Sequence, residues 1–111
     1  MKKKDVVKSR IDFNKIIKNG KKVSNDCFAI YYKDNSIDHS RYGISVGTKL
    51  GNAVFRNKYK RKIRMIVTNN KEILLEAKKD SIIIFRQSGV DKTYKELEKK
   101  YIELANKIKE N

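Results

Sequence analysis

No proline interrupts this 111-residue chain and it carries only five glycines, so its turns must be marked by other residues. Gly20, Asn25-Asp26, Asp34-Asn35, Gly51-Asn52, Asn69-Asn70 and Ser88-Gly89 supply that punctuation, which divides the chain into short elements. The single cysteine, Cys27, excludes an internal disulfide. Together with the single histidine, His39, it leaves no Cys/His set for a structural zinc. A reduced, metal-free fold follows. The apolar runs are too short for a spanning helix or for the apolar stretch of a signal peptide, so a cytoplasmic location is expected.

Side chains suited to catalysis are equally sparse. General acid–base work at neutral pH draws on histidine or on paired, perturbed carboxylates. His39 lies in the polar turn Ser36-Ile37-Asp38-His39-Ser40 and reads as a solvated loop residue, while Asp34 and Asp38 are too loosely spaced for a two-metal site. Cys27 has no base beside it and reads as a small packed residue. The stretch Gly47 to Gly51 lacks the Gly-Lys-Ser/Thr ending of a phosphate-binding loop. No catalytic residue is assigned, and no metal or cofactor is assigned to the protein.

Acid is scarce as well. Lys and Arg number 28 against 13 Asp and Glu, a formal net charge of +15, and no acidic residue falls between Asp38 and Glu72. Such an excess exceeds what solubility requires and makes a polyanion the default partner. Within the acid-free stretch, Lys49 to Arg64 reads as a helix with its approach. At about 100° per residue, Arg56, Asn57, Lys60, Arg61 and Arg64 fall on one broad face and Phe55, Tyr59, Ile63 and Ile66 on another. A merely solvated helix would intersperse acids to gain i,i+4 pairs. One face packs, and the other is left to bind nucleic acid.

Around that helix the pattern alternates between periods of 3.6 and 2. Ser9 reads as an N-cap for a helix over residues 10 to 19, with Asp12 near its positive end, Phe13, Ile16 and Ile17 as its apolar stripe and Gly20 at its stop. Phe28, Ile30 and Tyr32 point one way from an extended strand, and Cys27, Ala29 and Tyr31 the other; Tyr42, Ile44 and Val46 oppose Gly43, Ser45 and Gly47. The second face is paved with small side chains. Either a ligand approaches this floor closely, with Tyr31 at its edge to stack a nucleobase, or the first helix covers it. Ile73, Leu74 and Leu75 extend or restart helix as far as Lys79-Asp80. Ser81 to Arg86 is apolar on both sides, as in a central strand. Tyr94, Leu97, Tyr101, Leu104 and Ile108 then mark an amphipathic helix started by an Asp91 cap. The class is α+β: a small sheet with helices packed on it, in one RNA-binding domain over 1–111, whose basic tail, 1–8, is expected to stay mobile until it meets phosphate.

The spacing Lys49-x-Gly51-Asn52-Ala53-Val54-x-Arg56-Asn57-x-x-Lys60-Arg61-x-Ile63-Arg64 resembles the signature of the bacterial ribonuclease P protein subunit. Asp12-Phe13 with Gly20, Gly43-x-Ser45-Val46, and Asp80 leading into Ile82-Ile83-Ile84 extend the resemblance over almost the whole chain. Two positions depart from it. Lys58 stands where the family has arginine, keeping charge but losing the planar fork. Ile17 stands where a second aromatic is common, replacing stacking with apolar contact.

The resemblance implies the order αβββαβα, with a left-handed βαβ crossover opposite to the usual hand and of the kind found in one ribosomal-protein domain. It also implies an accessory subunit, inactive alone, that assists a catalytic RNA. With magnesium, that RNA hydrolyses precursor tRNA to remove its 5′ leader. By position, Lys49, Arg56, Asn57, Lys58, Lys60, Arg61 and Arg64 are expected to bind the RNA subunit, and Phe13, Ile17 and Tyr31 to line a cleft for the single-stranded leader. No membrane and no obligate protein partner is expected. A general RNA-binding or ribosomal protein, and a protein-only nuclease, are the competing readings.

Overall fold

A computed structural model describes residues 6–7, 10–35, 39–74 and 77–110. Helix α1 spans Arg10–Asn19, and strands β1, β2 and β3 span Lys21–Ser24, Phe28–Asp34 and Arg41–Val46. Helix α2 spans Ala53–Asn69, strand β4 Lys79–Phe85, and helix α3 Tyr94–Lys109. One mixed sheet has the order β1-β2-β4-β3, antiparallel except for the β3/β4 pair. The strand read as central is an inner one, and Ile82 and Ile83 are fully buried.

The alternation read along β2 and β3 separates two cores. Phe28, Ile30, Tyr32, Tyr42 and Val46 join Ile63, Ile66, Leu97, Tyr101 and Leu104 in the larger one, beneath α2 and α3. Val7, Ile16 and Ile82 form the smaller one, beneath α1. Cys27 is a correction: it precedes β2 and packs in the larger core rather than on the opposite face, because the strand alternation does not reach it. The hairpin before it is held by Asn25, whose Oδ1 accepts from the N–H groups of Cys27 and Phe28 at 3.0 Å each. Its Nδ2 donates to the Lys100 carbonyl at 3.0 Å, tying the hairpin to α3.

Gly20 ends α1 where the chain must pass very close to itself. A Cβ there would lie 2.4 Å from the Ile16 carbonyl oxygen and 2.6 Å from that of Tyr32. The first-helix cap read at Ser9 lies outside the described residues. Of the tail expected to be mobile, Val6 and Val7 are described, and both dock on β3: Val6 bridges to Tyr42, and the Val7 N–H donates to the Tyr42 carbonyl at 2.9 Å. Between α2 and β4, helical structure among the described residues is limited to a single tight turn at Lys71–Ile73; Leu75 lies outside the described residues. The cap of α3 is Thr93, not Asp91. Its hydroxyl accepts from the Glu96 N–H while Glu96 accepts from the Thr93 N–H, a reciprocal box that Asp91, two residues earlier, cannot form.

Candidate nucleic-acid interface

Helix α2 begins at Asn52, whose Oδ1 accepts from the Phe55 N–H at 2.9 Å. The Phe55 ring lies so close over Gly51 that a Cβ there would sit 2.6 Å from it. Phe55 meets Tyr59 at 4.8 Å between ring centroids, and Tyr59 stacks on Phe85 at 4.8 Å. The Tyr59 hydroxyl donates to the Val90 carbonyl at 2.8 Å. With Ile63, Ile66 and Val67 also buried, these contacts fix the rotation of the helix about its axis.

That rotation decides what the solvent sees. Asn57, Lys58, Arg61 and Arg64 are exposed, Arg56 and Lys60 half-buried, and Lys49 exposed on the tight turn Thr48–Leu50 before the helix. Among the described residues, none of these cations takes part in an ion pair. The Arg56 Nε is buried without a hydrogen-bond partner. All seven residues read as RNA-binding therefore lie on this helix or its approach. Their charge is unneutralised by the protein itself.

The other face of the sheet carries α1. Residues directly paired across strands share a face, so the register sorts this side into rows: Ser24, Ala29, Ile84 and Ser45; then Lys22, Tyr31, Ile82 and Gly43; then Lys33, Asp80 and Arg41. Ile16 of α1 is buried on the middle row, and Phe13 lies over Gly43, where a Cβ would be 3.1 Å from its ring. Part of the small-residue floor is thus covered by the first helix. Phe13, Ile17 and Tyr31 come together half-buried around Ile16 and Ile82, joined by Ile84, which sequence reasoning had not placed there. The alternation of Ile82, Ile83 and Ile84 held the signal for it, masked by a run apolar on both faces. Lys22 lies over the Tyr31 ring, its Nζ 5.5 Å from the centroid.

The third row went unread in the sequence. Arg41 grips Asp80 with both arms, Nε to Oδ1 at 2.9 Å and Nη2 to Oδ2 at 2.5 Å, and Asn35 Nδ2 donates to the same Oδ1 at 2.8 Å. Burial pushes the Asp80 carboxyl up, but the hydrogen bonds from Arg41 and Asn35 and the Arg41 charge outweigh it. They hold the group below its ordinary value. Beside it, Lys79 pairs with Asp34, whose carboxyl that hydrogen bond and charge also hold low. An open cavity of about 370 Å³ separates this row from Asp12, Lys15 and Ile16 of α1. His39 is half-buried and its carbonyl accepts from Asn35, so it is tied into this corner rather than freely solvated. Among the described residues no helix is long and apolar enough to cross a membrane.

Comparison with known proteins adds three findings. The family profile described as Ribonuclease P matches residues 1–109. The ribonuclease P protein component of Mycoplasma capricolum is 48% identical over 109 residues, covering 98% of this chain and all of the relative. Solved structures share the fold. The RNase P protein of Thermotoga maritima superposes with a TM-score of 0.83 at 31% identity, covering 92% of this chain and 96% of that one. A Staphylococcus aureus RNase P protein mutant with defective mRNA degradation activity superposes with a TM-score of 0.84 at 42% identity, covering 97% and 90%.

Proposed function

The chain belongs to the ribonuclease P protein family, and from that premise we propose that it is the RNA-binding subunit of a cytoplasmic ribonuclease P, assisting a catalytic RNA in removing the 5′ leader of precursor tRNA. The observation that carries this reading is the unpaired cationic face of α2, set on the opposite side of the sheet from the α1 cleft. Two separate surfaces allow two RNAs to be held at once. Lys49, Arg56, Asn57, Lys58, Lys60, Arg61 and Arg64 neutralise close-packed phosphates of the RNA subunit and release their counterions. Phe13, Ile17 and Tyr31 offer ring and apolar faces that accept leader bases of any sequence.

Magnesium in this reading belongs to the RNA and its substrate. Among the described residues no three His, Cys, Asp or Glu side chains converge, and Asp34 and Asp80 are paired with Lys79 and Arg41. The parallel β3 and β4 are joined through α2, and a left-handed crossover there belongs to the same proposal.

The leader assignment predicts a dependence on length. Base–aromatic stacking is worth about 1–3 kcal/mol per base, so Tyr31→Ala is expected to weaken binding of precursor tRNA by roughly tenfold once the leader reaches the cleft, and hardly at all for a substrate without one. Affinities of the reconstituted enzyme for leaders of increasing length, with the thermal midpoint of the variant, measure this. A folded Tyr31→Ala variant that loses nothing as the leader grows sends the cleft assignment elsewhere. The Staphylococcus aureus RNase P protein mutant with defective mRNA degradation activity favours a second reading, in which the chain takes part in mRNA degradation. The protein-alone arm of a cleavage assay separates the two.

A further inference from the structure

Helix α1 crosses the sheet from one edge to the other. The strand order β1-β2-β4-β3 puts β3 and β1 at opposite edges; Val7, shortly before α1, is docked on β3, and Gly20, just after it, leads directly into β1. The ten residues of α1 span about 15 Å at 1.5 Å each, and three strand spacings add up to about 14 Å. The helix is just long enough to reach both edges. Its C-terminal end is held tightly, where Gly20 passes against the Ile16 and Tyr32 carbonyls. Its N-terminal end is held by a short clasp: the parallel bridge of Val6 to Tyr42, the Val7 N–H donating to the Tyr42 carbonyl at 2.9 Å, and the Val7 side chain, 6% exposed, packed with Ile16 and Ile82.

We infer that this clasp positions one wall of the leader cleft: docking of Val6 and Val7 on β3 sets the N-terminal half of α1, and with it the Phe13 ring, where a leader base can stack on it. This rests on the leader reading above. Phe13 is the cleft residue nearest the clasp in sequence, and its ring lies over Gly43. Tyr42, which takes both backbone contacts of the clasp, immediately precedes that glycine. Tyr31, by contrast, is fixed within the sheet by its pairing with Lys22 of β1 and Ile82 of β4. None of Val7, Phe13 and Ile16 belongs to the larger core beneath α2 and α3. Release of the clasp therefore displaces one wall of the cleft while the larger core and the cationic face of α2 stay in place. Val7 acts on the leader through Phe13, not by touching it.

The test uses two variants that undo the clasp by different routes, each made in the wild-type and in the Phe13→Leu background. Val7→Ala empties the apolar seat, and Val7→Pro keeps apolar bulk but removes the N–H. The reconstituted enzyme is titrated with precursor tRNA carrying leaders of increasing length, and the affinity of each protein for the RNA subunit and its thermal midpoint are measured alongside. Both variants are expected to weaken substrate binding about fivefold once the leader reaches the cleft, a part of the stacking of one base. Binding of a substrate without a leader, and assembly with the RNA subunit, should be unchanged. Val7→Ile, which keeps both the seat and the N–H, should bind as the wild type does. In the Phe13→Leu background the Val7 changes should cost nothing further, because residues that act through one another are not additive. The inference is overturned if the loss is the same with and without a leader, if assembly with the RNA subunit weakens as well, or if the full loss persists beside Phe13→Leu. Unfolding of both variants at the assay temperature also overturns it, since Val7 would then hold the whole domain rather than one end of α1. If the wild type binds all leader lengths equally, the leader reading falls and this inference with it. A length dependence that both Val7 variants retain sinks the inference alone.

Discussion

Replacing Arg56, Arg61 and Arg64 together by alanine is expected to weaken assembly with the catalytic RNA by about a thousandfold and to flatten its salt dependence. Each phosphate neutralised contributes about −0.9 to the slope of log K against log salt on a duplex and about −0.7 on a single strand. Three lost contacts therefore remove about 2 to 3 from the slope. Hydrogen bonds to charged groups are worth about 1.5–3 kcal/mol each, and partial compensation by Lys60 and Lys58 brings the sum down to the expected loss. The control is the same charge change at Lys95, Lys99 and Lys107 on α3, where Glu96, Glu98 and Glu103 intersperse the cations. Filter binding of the RNA at several salt concentrations measures both variants. Equal losses would mean a diffuse electrostatic surface rather than a site.

Arg41→Ala should cost about 3 kcal/mol of stability, the lower part of the range for breaking a buried ion pair, since Asn35 still donates to Asp80. Asp80→Ala should cost less. The Asp80 side chain is 4% exposed and is stranded when Arg41 goes, whereas Arg41, at 27%, can still reach water. The two variants also respond differently to pH. In the wild type the Asp80 carboxyl is held below its ordinary value, so it contributes stability above the unfolded carboxylate range and loses it as pH falls through the folded value. Without Arg41, burial is opposed by the Asn35 hydrogen bond and the Lys33 charge, so the folded value rises and the stability contributed by the ionised carboxyl shrinks. The stability gap between wild type and Arg41→Ala should accordingly narrow from pH 7 toward pH 4, as read by urea denaturation at each pH. A gap that is small or independent of pH would show that the pair does not hold the ends of β2, β3 and β4 together.

What could be read from the chain alone was whatever a local period or spacing encodes. The basic face of α2 follows from Arg56, Lys60, Arg61 and Arg64 at helical steps, and the two faces of β2 from strict alternation. What escaped was set by partners distant in sequence. Asp80 meets Arg41 across 39 positions, and nothing near either residue announces the other. Ile84 reaches the cleft through a register that pairs it with Ala29 and Ser45, which no single strand reveals. The α3 cap was misplaced because Asp91 and Thr93 both suit that role, and only the reciprocal bond with Glu96 favours Thr93. Of the residues assigned to RNA by resemblance, those on α2 share a face by helical spacing, whereas the grouping of Phe13, Ile17 and Tyr31 could not be derived from spacing. Phe13 and Tyr31 meet only because Gly20 lets α1 fold back over the sheet.

The most direct test of the account is cleavage of precursor tRNA in three arms at a magnesium concentration where the catalytic RNA alone is slow: RNA alone, protein alone, and both together. The account predicts release of the 5′ leader in the combined arm at a rate well above that of the RNA alone, and none from the protein, whether the substrate is precursor tRNA or mRNA. Cleavage by the protein after all RNA has been removed, or a combined arm no faster than the RNA by itself, would contradict it.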